Sequence, residues 1–397
     1  MQLGWIDFSK DERNKVLSVI HLLDEPGAVD ELGIGAIRDA FADFFFPGTS
    51  TVQTRAKYFL VVPYLLQEAC SGNYGTEANN IIRRIDYEER KCRDIFLKTS
   101  SDGVIGSLVP QSWVQRTPLS IYWTGLKRLG IITEDVSLRE LIQQSLLQKS
   151  LKKAKEFGNR DKEAEENEKD DFDAGDISSF HFLNIGDAYK SDWRDDLTIE
   201  LEPYEASFLR GQIIRSQSKT LFAYILKNNV PIEQYSSIAA LSEDIVNDVE
   251  PDLAEMMKLA NDFNNLVSII TTRFNLIVSQ GENVDAVSKW KEMSGDLRRR
   301  STVDLKQIYT RLDIKNVKLR VFLSRVQEAI WAGNIDVVDD LIIDREVRIK
   351  GASRAKTKHS GQYRTDIWIG INKLDYRFTS AKRIIVDIMN AEGKGNV

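Results

Sequence analysis

Cysteine and histidine are scarce in this chain. Two cysteines, Cys70 and Cys92, cannot staple 397 residues into a disulfide framework. They fit a reducing, cytoplasmic setting. The three histidines, His21, His181 and His359, match no metal-ligand spacing with the cysteines, so neither a metal site nor a cofactor is expected. The Gly-x-x-x-x-Gly-Lys-Ser/Thr phosphate loop is missing, which argues against an ATPase of that class. Gly-x-Ser-x-Gly is missing too. His359 lacks the His-x-Lys-x-x-x-x-Asp continuation of phospholipase D-type nucleases. No run approaches ~18 uninterrupted apolar residues, so no membrane span is expected. The opening MQLGWIDFSKDERNK has no basic start followed by an apolar run, so no signal peptide is expected. Positive charge is not in excess either. At a net charge of −6 no global field draws nucleic acid or anionic membrane, and any basic site must be local.

What is present is an ordinary soluble composition, 42% hydrophobic and 29% charged, long enough for two or three domains. The fold expected is mainly α with small β elements. Its N-terminal half reads as helix-turn-helix or winged-helix-like, and its helical C-terminal half as ending in a small basic α+β segment. The boundaries expected are 1–151 for the first domain, 152–176 for a charged linker, 177–343 for a helical domain and 344–397 for a basic hairpin with a closing helix. In the N-terminal arm, Gly4 to Ser9 alternates like a short strand, and Val16, Val19, Ile20 and Leu23 follow at helical spacing.

The run from Val29 to Gln67 is the most distinctive. Asp30 is placed to cap a helix whose Ile34, Ile37, Phe41, Phe44 and Phe45 share one face. Pro47-Gly48 stops it, and Thr49 or Ser50 is expected to cap the next. That second helix starts polar and becomes apolar from Tyr58 to Leu66, with Pro63 expected to kink or divide it. Two readings stand: a helix-turn-helix, or two core helices. Arg38, Arg55 and Lys57 are its candidates for contact.

From Gln111 to Thr133, Ser120 is the expected N-cap. Ile121, Tyr122, Gly125, Leu126 and Leu129 make an apolar face, while Ser120, Trp123, Thr124, Lys127 and Arg128 make a polar one. Gly130 ends the helix, and Ile131-Ile132-Thr133 could begin a wing strand. The pattern looks like a winged-helix recognition helix, whose polar face meets phosphates and base edges; such domains also serve as protein-protein modules.

Lys152 to Asp176 is a polar, net acidic run with too little apolar content to repay ordering, hence a linker. Helical spacing returns at Glu205–Gln217, Lys219–Lys227, Leu253–Ser279 and Val317–Trp331. Arg345 to Arg383 holds eleven basic residues against three acidic ones, with Tyr363, Trp368, Tyr376 and Phe378 interleaved. Glu346–Gly351 and Leu374–Phe378 read as short strands, and a helix from Thr379 to Asn390 closes the chain. Local basic charge with aromatics suits phosphate contact and base stacking. It equally suits pairing with the acidic linker or an acidic partner. Asp340, Asp344 and Glu346 ahead of Arg348 and Lys350 leave a further reading, a metal-dependent nuclease.

Gly4-Trp5-Ile6-Asp7-Phe8-Ser9, then VDELGIGAIRDAFADFFFPGTSTVQTRAKYF, then PLSIYWTGLKRLGI, with LDYRF near the end, resemble an uncharacterised bacterial family, a domain of unknown function. The resemblance implies a place near helicase and phospholipase D-like genes in phage-defence regions. It implies no catalytic residues.

The function expected is a non-catalytic nucleic-acid-binding or scaffolding subunit of a bacterial anti-phage defence system, working with a helicase or nuclease. The alternatives are a pure protein-protein interaction module and the metal-dependent nuclease. DNA or RNA would meet Ser120, Trp123, Thr124, Lys127 and Arg128, together with Arg348, Lys350, Arg354, Lys356, Lys358, Arg364 and Arg377.

Overall fold

Helical periodicity dominates the sequence, and the computed structural model is mainly helical. It describes residues 30–75, 77–109, 112–160, 182–363 and 366–394. The expected arm and first helix before residue 30, the linker from residue 161, and Arg364 lie outside the described residues. The chain divides into two compact units. The second comprises residues 43–236 and 377–397, the first the remainder, so the chain passes between them three times.

In unit 1, Asp30 accepts hydrogen bonds from the Ile34 and Gly35 amides at 2.9 and 2.7 Å. It thereby caps α1, Gly35–Phe45, as the sequence indicates. Residues of α1 up to Ala42 belong to this unit. Phe41 packs there on Phe263 and Tyr376, with ring centroids 6.0 and 5.3 Å apart. Unit 1 is otherwise built of α8, Ile238–Ile245, the long α9, Pro251–Val278, α10, Val284–Met293, the short α11, Leu297–Arg300, and α12, Leu305–Arg311. The hairpin of α13, Val317–Trp331, and α14, Ile335–Lys350, completes it. Gly333 turns between these two with φ +74°, where a glycine is favoured.

Two expected strands are corrected in the basic tail. Of Glu346–Gly351, Glu346–Lys350 is the last part of α14 and Gly351 its C-cap, because the buried Val338, Leu341, Ile342, Arg345 and Glu346 of α14 continue the helical repeat. An alternation read over six residues was overridden by that longer period. The second, Leu374–Phe378, contains Tyr376 at φ +52° and Arg377 at φ +62°, which no strand accommodates. Burial of the Tyr376 ring, with its hydroxyl donating to the Ala260 carbonyl at 2.6 Å, holds that backbone.

Unit 2 centres on α2, Tyr58–Ser71, which is buried around nearly its whole circumference. An apolar helix of this kind has to lie inside the unit. It runs through Pro63 undivided. Packed with it are α3, Ala78–Phe96, and α4, Pro118–Arg128. The helices α5, Leu138–Arg160, α6, Pro203–Ser216, α7, Leu221–Lys227, and the closing α15, Phe378–Lys394, surround them. The first nine residues of the expected linker are thus helical, as the end of α5. Residues 46–57 separate α1 from α2, far more than the three- or four-residue turn of a helix-turn-helix. Thr49 and Ser50 do not cap α2, whose N-cap position is Lys57. Among the described residues β structure amounts to one isolated antiparallel bridge, Ile132 with Leu183, in place of a wing.

The seating of α4 sets up the rest of unit 2. Its N-cap is Thr117 with Pro118 following, not Ser120, which lies one turn in. Glu89 accepts from the Leu119 amide at 2.6 Å. The Tyr122 hydroxyl accepts from the Thr54 and Arg55 amides at 2.9 and 3.1 Å and donates to the Arg55 carbonyl. Gly125 lies directly on the Phe46–Ser50 turn: a Cβ there would sit 2.4 Å from the Gly48 carbonyl oxygen. Gly48 itself has φ +81°, so glycine is required on both sides of this contact.

Gly125→Ala is expected to cost about 1–3 kcal/mol of stability in urea unfolding. Gly211→Ala, in α6 with open space around it, should be neutral or slightly stabilising. A second expectation concerns Glu89. Burial, reinforced by Asp86, pushes its carboxyl up to about 8. Between about 4.5 and about 8 the folded chain therefore holds a proton that the unfolded chain has lost. Stability should fall as pH rises through that window, by up to ~1.4 kcal/mol per pH unit. Glu89→Gln should remove that part of the slope, as read from melts between the two limits.

Candidate nucleic-acid interface

The candidate site grows out of the seating of α4. Successive turns of the helix bring Ser120, Thr124 and Arg128 onto one exposed stripe, opposite the buried Tyr122, Leu126 and Leu129. The stripe borders a cavity of about 540 Å³ within unit 2. Gly48, Thr49, Ser50 and Gln53 of the turn form its floor, with Arg116 and Arg377 on the wall.

The turn is held from inside. Gln53 accepts from the Ser50 amide at 3.0 Å and donates to the Gly48 carbonyl at 3.1 Å. Thr49 donates its hydroxyl to the Phe46 carbonyl at 2.7 Å. The Thr49 hydroxyl is thereby committed to the turn, and no helix starts at Thr49 or Ser50. Arg377 pairs with Asp43 and donates to the Thr49 carbonyl at 2.9 Å, fixing one wall.

The arginines differ in commitment. Neither the Arg116 nor the Arg128 guanidinium has an ion pair or hydrogen bond among the described residues, and both are exposed. Arg377 is neutralised by Asp43. Lys127 points elsewhere and pairs with the exposed Asp135 at 2.8 Å. Trp123 is half-buried and does not line the cavity. Sequence reasoning missed Arg116, Thr49 and Ser50. Arg116 precedes the helix by one residue beyond the cap, and no periodicity marks it.

The three candidates in the opening stretch are occupied internally. Arg38 pairs with its neighbour Asp39 at 3.0 Å. Arg55 bonds to Asp387 at 3.0 Å. Lys57 and Glu205 form a buried pair at 2.6 Å.

The basic tail is divided. Arg348, Lys350, Arg354, Lys356 and Lys358 belong to unit 1, Arg377 to unit 2. Glu346 is fully buried and accepts from the Lys356 and Thr357 amides at 3.0 and 2.9 Å. Glu31, also buried, pairs with both Lys350 and Lys356. Desolvation, with Lys356 nearby, lowers the Lys350 ammonium to about 8. Lys350 and Lys356 are therefore structural ties of unit 1. Arg348 pairs with Asp344 at 2.7 Å on the helix surface. Arg354 donates to the Lys350 carbonyl at 2.9 Å, and Lys358 is exposed. Asp340, Asp344 and Glu346 lie on α14. Among the described residues no cluster of three His, Cys, Asp or Glu side chains could hold a metal ion. No helix among them is long and apolar enough to cross a membrane.

Neither a curated protein nor a solved structure matches the chain. Residues 1–155 match the model of a family of unknown function (DUF6361), a stretch that includes α1 to α4 and the turn beneath the cavity but not Arg377.

Proposed function

We propose that the chain is a non-catalytic nucleic-acid-binding subunit, with α4 and the turn beneath it as the contact surface. The observation that carries this reading is the convergence of Ser120, Thr124 and Arg128 with Arg116 on one cavity, two of whose guanidiniums have no internal partner. Phosphate binding needs such uncommitted cations, because released counterions supply most of the affinity. In a chain of net charge −6 the contact is necessarily local. The family resemblance extends the proposal to a setting: a bacterial, cytoplasmic anti-phage system in which a helicase or phospholipase D-like nuclease does the chemistry. Arg348, Arg354 and Lys358 of unit 1 are the remaining exposed cations of the set, and Arg364 lies outside the described residues.

Anisotropy titrations with labelled DNA and RNA at two salt concentrations test the proposal. Affinity should fall with salt, and Arg116→Ala and Arg128→Ala should each weaken binding and reduce the salt slope by about one. Lys350→Ala should leave the slope unchanged and lower stability instead. Absence of binding at low salt, or affinity indifferent to salt, counts against the reading.

One observation favours a protein-interaction role for unit 1 beside this. Between α13 and α14 lies a groove of about 500 Å³. Its apolar residues Val317, Val321 and Ile349 are 64%, 51% and 40% exposed. Lys318 and Arg325 flank it, and its one carboxylate, Asp344, is already paired with Arg348. Its complement is an amphipathic helix of a partner protein bearing carboxylates beside its apolar stripe. A labelled Leu/Glu amphipathic peptide should bind the full chain and a Leu/Lys peptide should not. Val321→Asp should abolish the difference; equal binding of both peptides rules the groove out.

A further inference from the structure

We propose that the cavity beside α4 receives a phosphate monoester, the terminal phosphate of a strand or of a free nucleotide, rather than a phosphodiester in mid-chain. The inference deepens the nucleic-acid reading and rests on it where the ligand is a strand.

Shape is the first argument. A phosphodiester within a strand continues on both sides and needs an open track. A cavity of about 540 Å³ with a floor and a wall has the size of a small-ligand site and admits a chain end. The floor cannot recede, because Gly48 and Gly125 are already in backbone contact there. The Arg377 wall is tied to Asp43 and to the Thr49 carbonyl.

Charge is the second. A phosphate monoester carries between about −1.5 and −2 at neutral pH, against −1 for a diester. With Arg377 offset by Asp43, the cavity offers two uncommitted guanidiniums, Arg116 and Arg128. That balances a dianion and exceeds what a diester requires. Guanidinium forks also match the planar edges of a phosphate that has three free oxygens.

Hydroxyls are the third. Thr124 lies one turn before Arg128 on the same stripe, and its hydroxyl has no partner among the described residues. The Ser50 hydroxyl oxygen on the floor likewise has none. The Ser120 hydroxyl is committed to the Thr117 carbonyl at 2.8 Å and is not assigned a role. Because Gln53 and Thr49 hold the turn from inside, the site is formed before a ligand arrives, which lowers the cost of binding.

The experiment uses the full chain and one oligonucleotide prepared with a 5′-phosphate, a 3′-phosphate or hydroxyls at both ends, with adenosine monophosphate as a separate ligand. A strand with one of the terminal phosphates should bind at least about tenfold tighter than the hydroxyl-ended strand, the scale of charge-assisted bonds gained. Arg128→Gln and Thr124→Val, both at exposed positions, should erase that preference while melting like the parent chain. Equal affinity for phosphorylated and hydroxyl-ended strands overturns the inference and leaves the nucleic-acid reading standing. Binding of adenosine monophosphate, lost in Arg128→Gln, by a chain that binds no oligonucleotide supports the monoester site and overturns the nucleic-acid reading. No binding of any of these ligands overturns both.

Discussion

The contact between Gly48 and Gly125 is the constraint on which unit 2's surface depends. Backbone meets backbone there with no room for a Cβ at Gly125, so α4 lies flush on the Phe-Pro-Gly-Thr-Ser turn. Everything around the cavity follows from that closeness. The Tyr122 hydroxyl reaches the Thr54 and Arg55 backbone, Gln53 bridges the turn, and Ser120, Thr124 and Arg128 are left on the outer stripe. A side chain at Gly125 would lift the helix and open the floor, and one at Gly48 would strain the turn at φ +81°.

Commitment, rather than charge alone, separates the cations. Lys57, Lys350 and Lys356 are each held against buried carboxylates, where an ammonium loses hydration and regains it only as ion pairs and hydrogen bonds. Arg55 is similarly tied to Asp387. Their positive charge is matched by internal carboxylates. Arg116 and Arg128 keep theirs at the surface, with no ion pair or hydrogen bond among the described residues.

Much of the helical architecture was legible. The Asp30 cap, the apolar α2, the positions of α6, α9 and α13 and the closing helix all follow from residue spacing. The polar stripe of α4 was legible for the same reason. The errors share a cause: short windows. Six residues of alternation suggest a strand where α14 continues, and Ser120 resembles a cap because the Thr117-Pro118 start lies just outside the apolar repeat. Thr49 and Ser50 are capping residue types, but the Thr49 hydroxyl bonds back to Phe46 and Gln53 closes the turn through the Ser50 amide and the Gly48 carbonyl.

The sequence by itself determined that the chain is mainly helical, that its charge is locally uneven, and where most of its long helices lie. Those properties are written in neighbouring residues and their periodicity. Only the tertiary structure decided which basic residues are committed and which face solvent. It also decided that Arg377 joins a cavity with Ser50 and Arg116, which lie more than two hundred residues earlier in the chain. Ion pairs such as Glu31 with Lys356 link residues far apart in sequence. No local pattern encodes such partners, because their pairing depends on how the apolar faces pack.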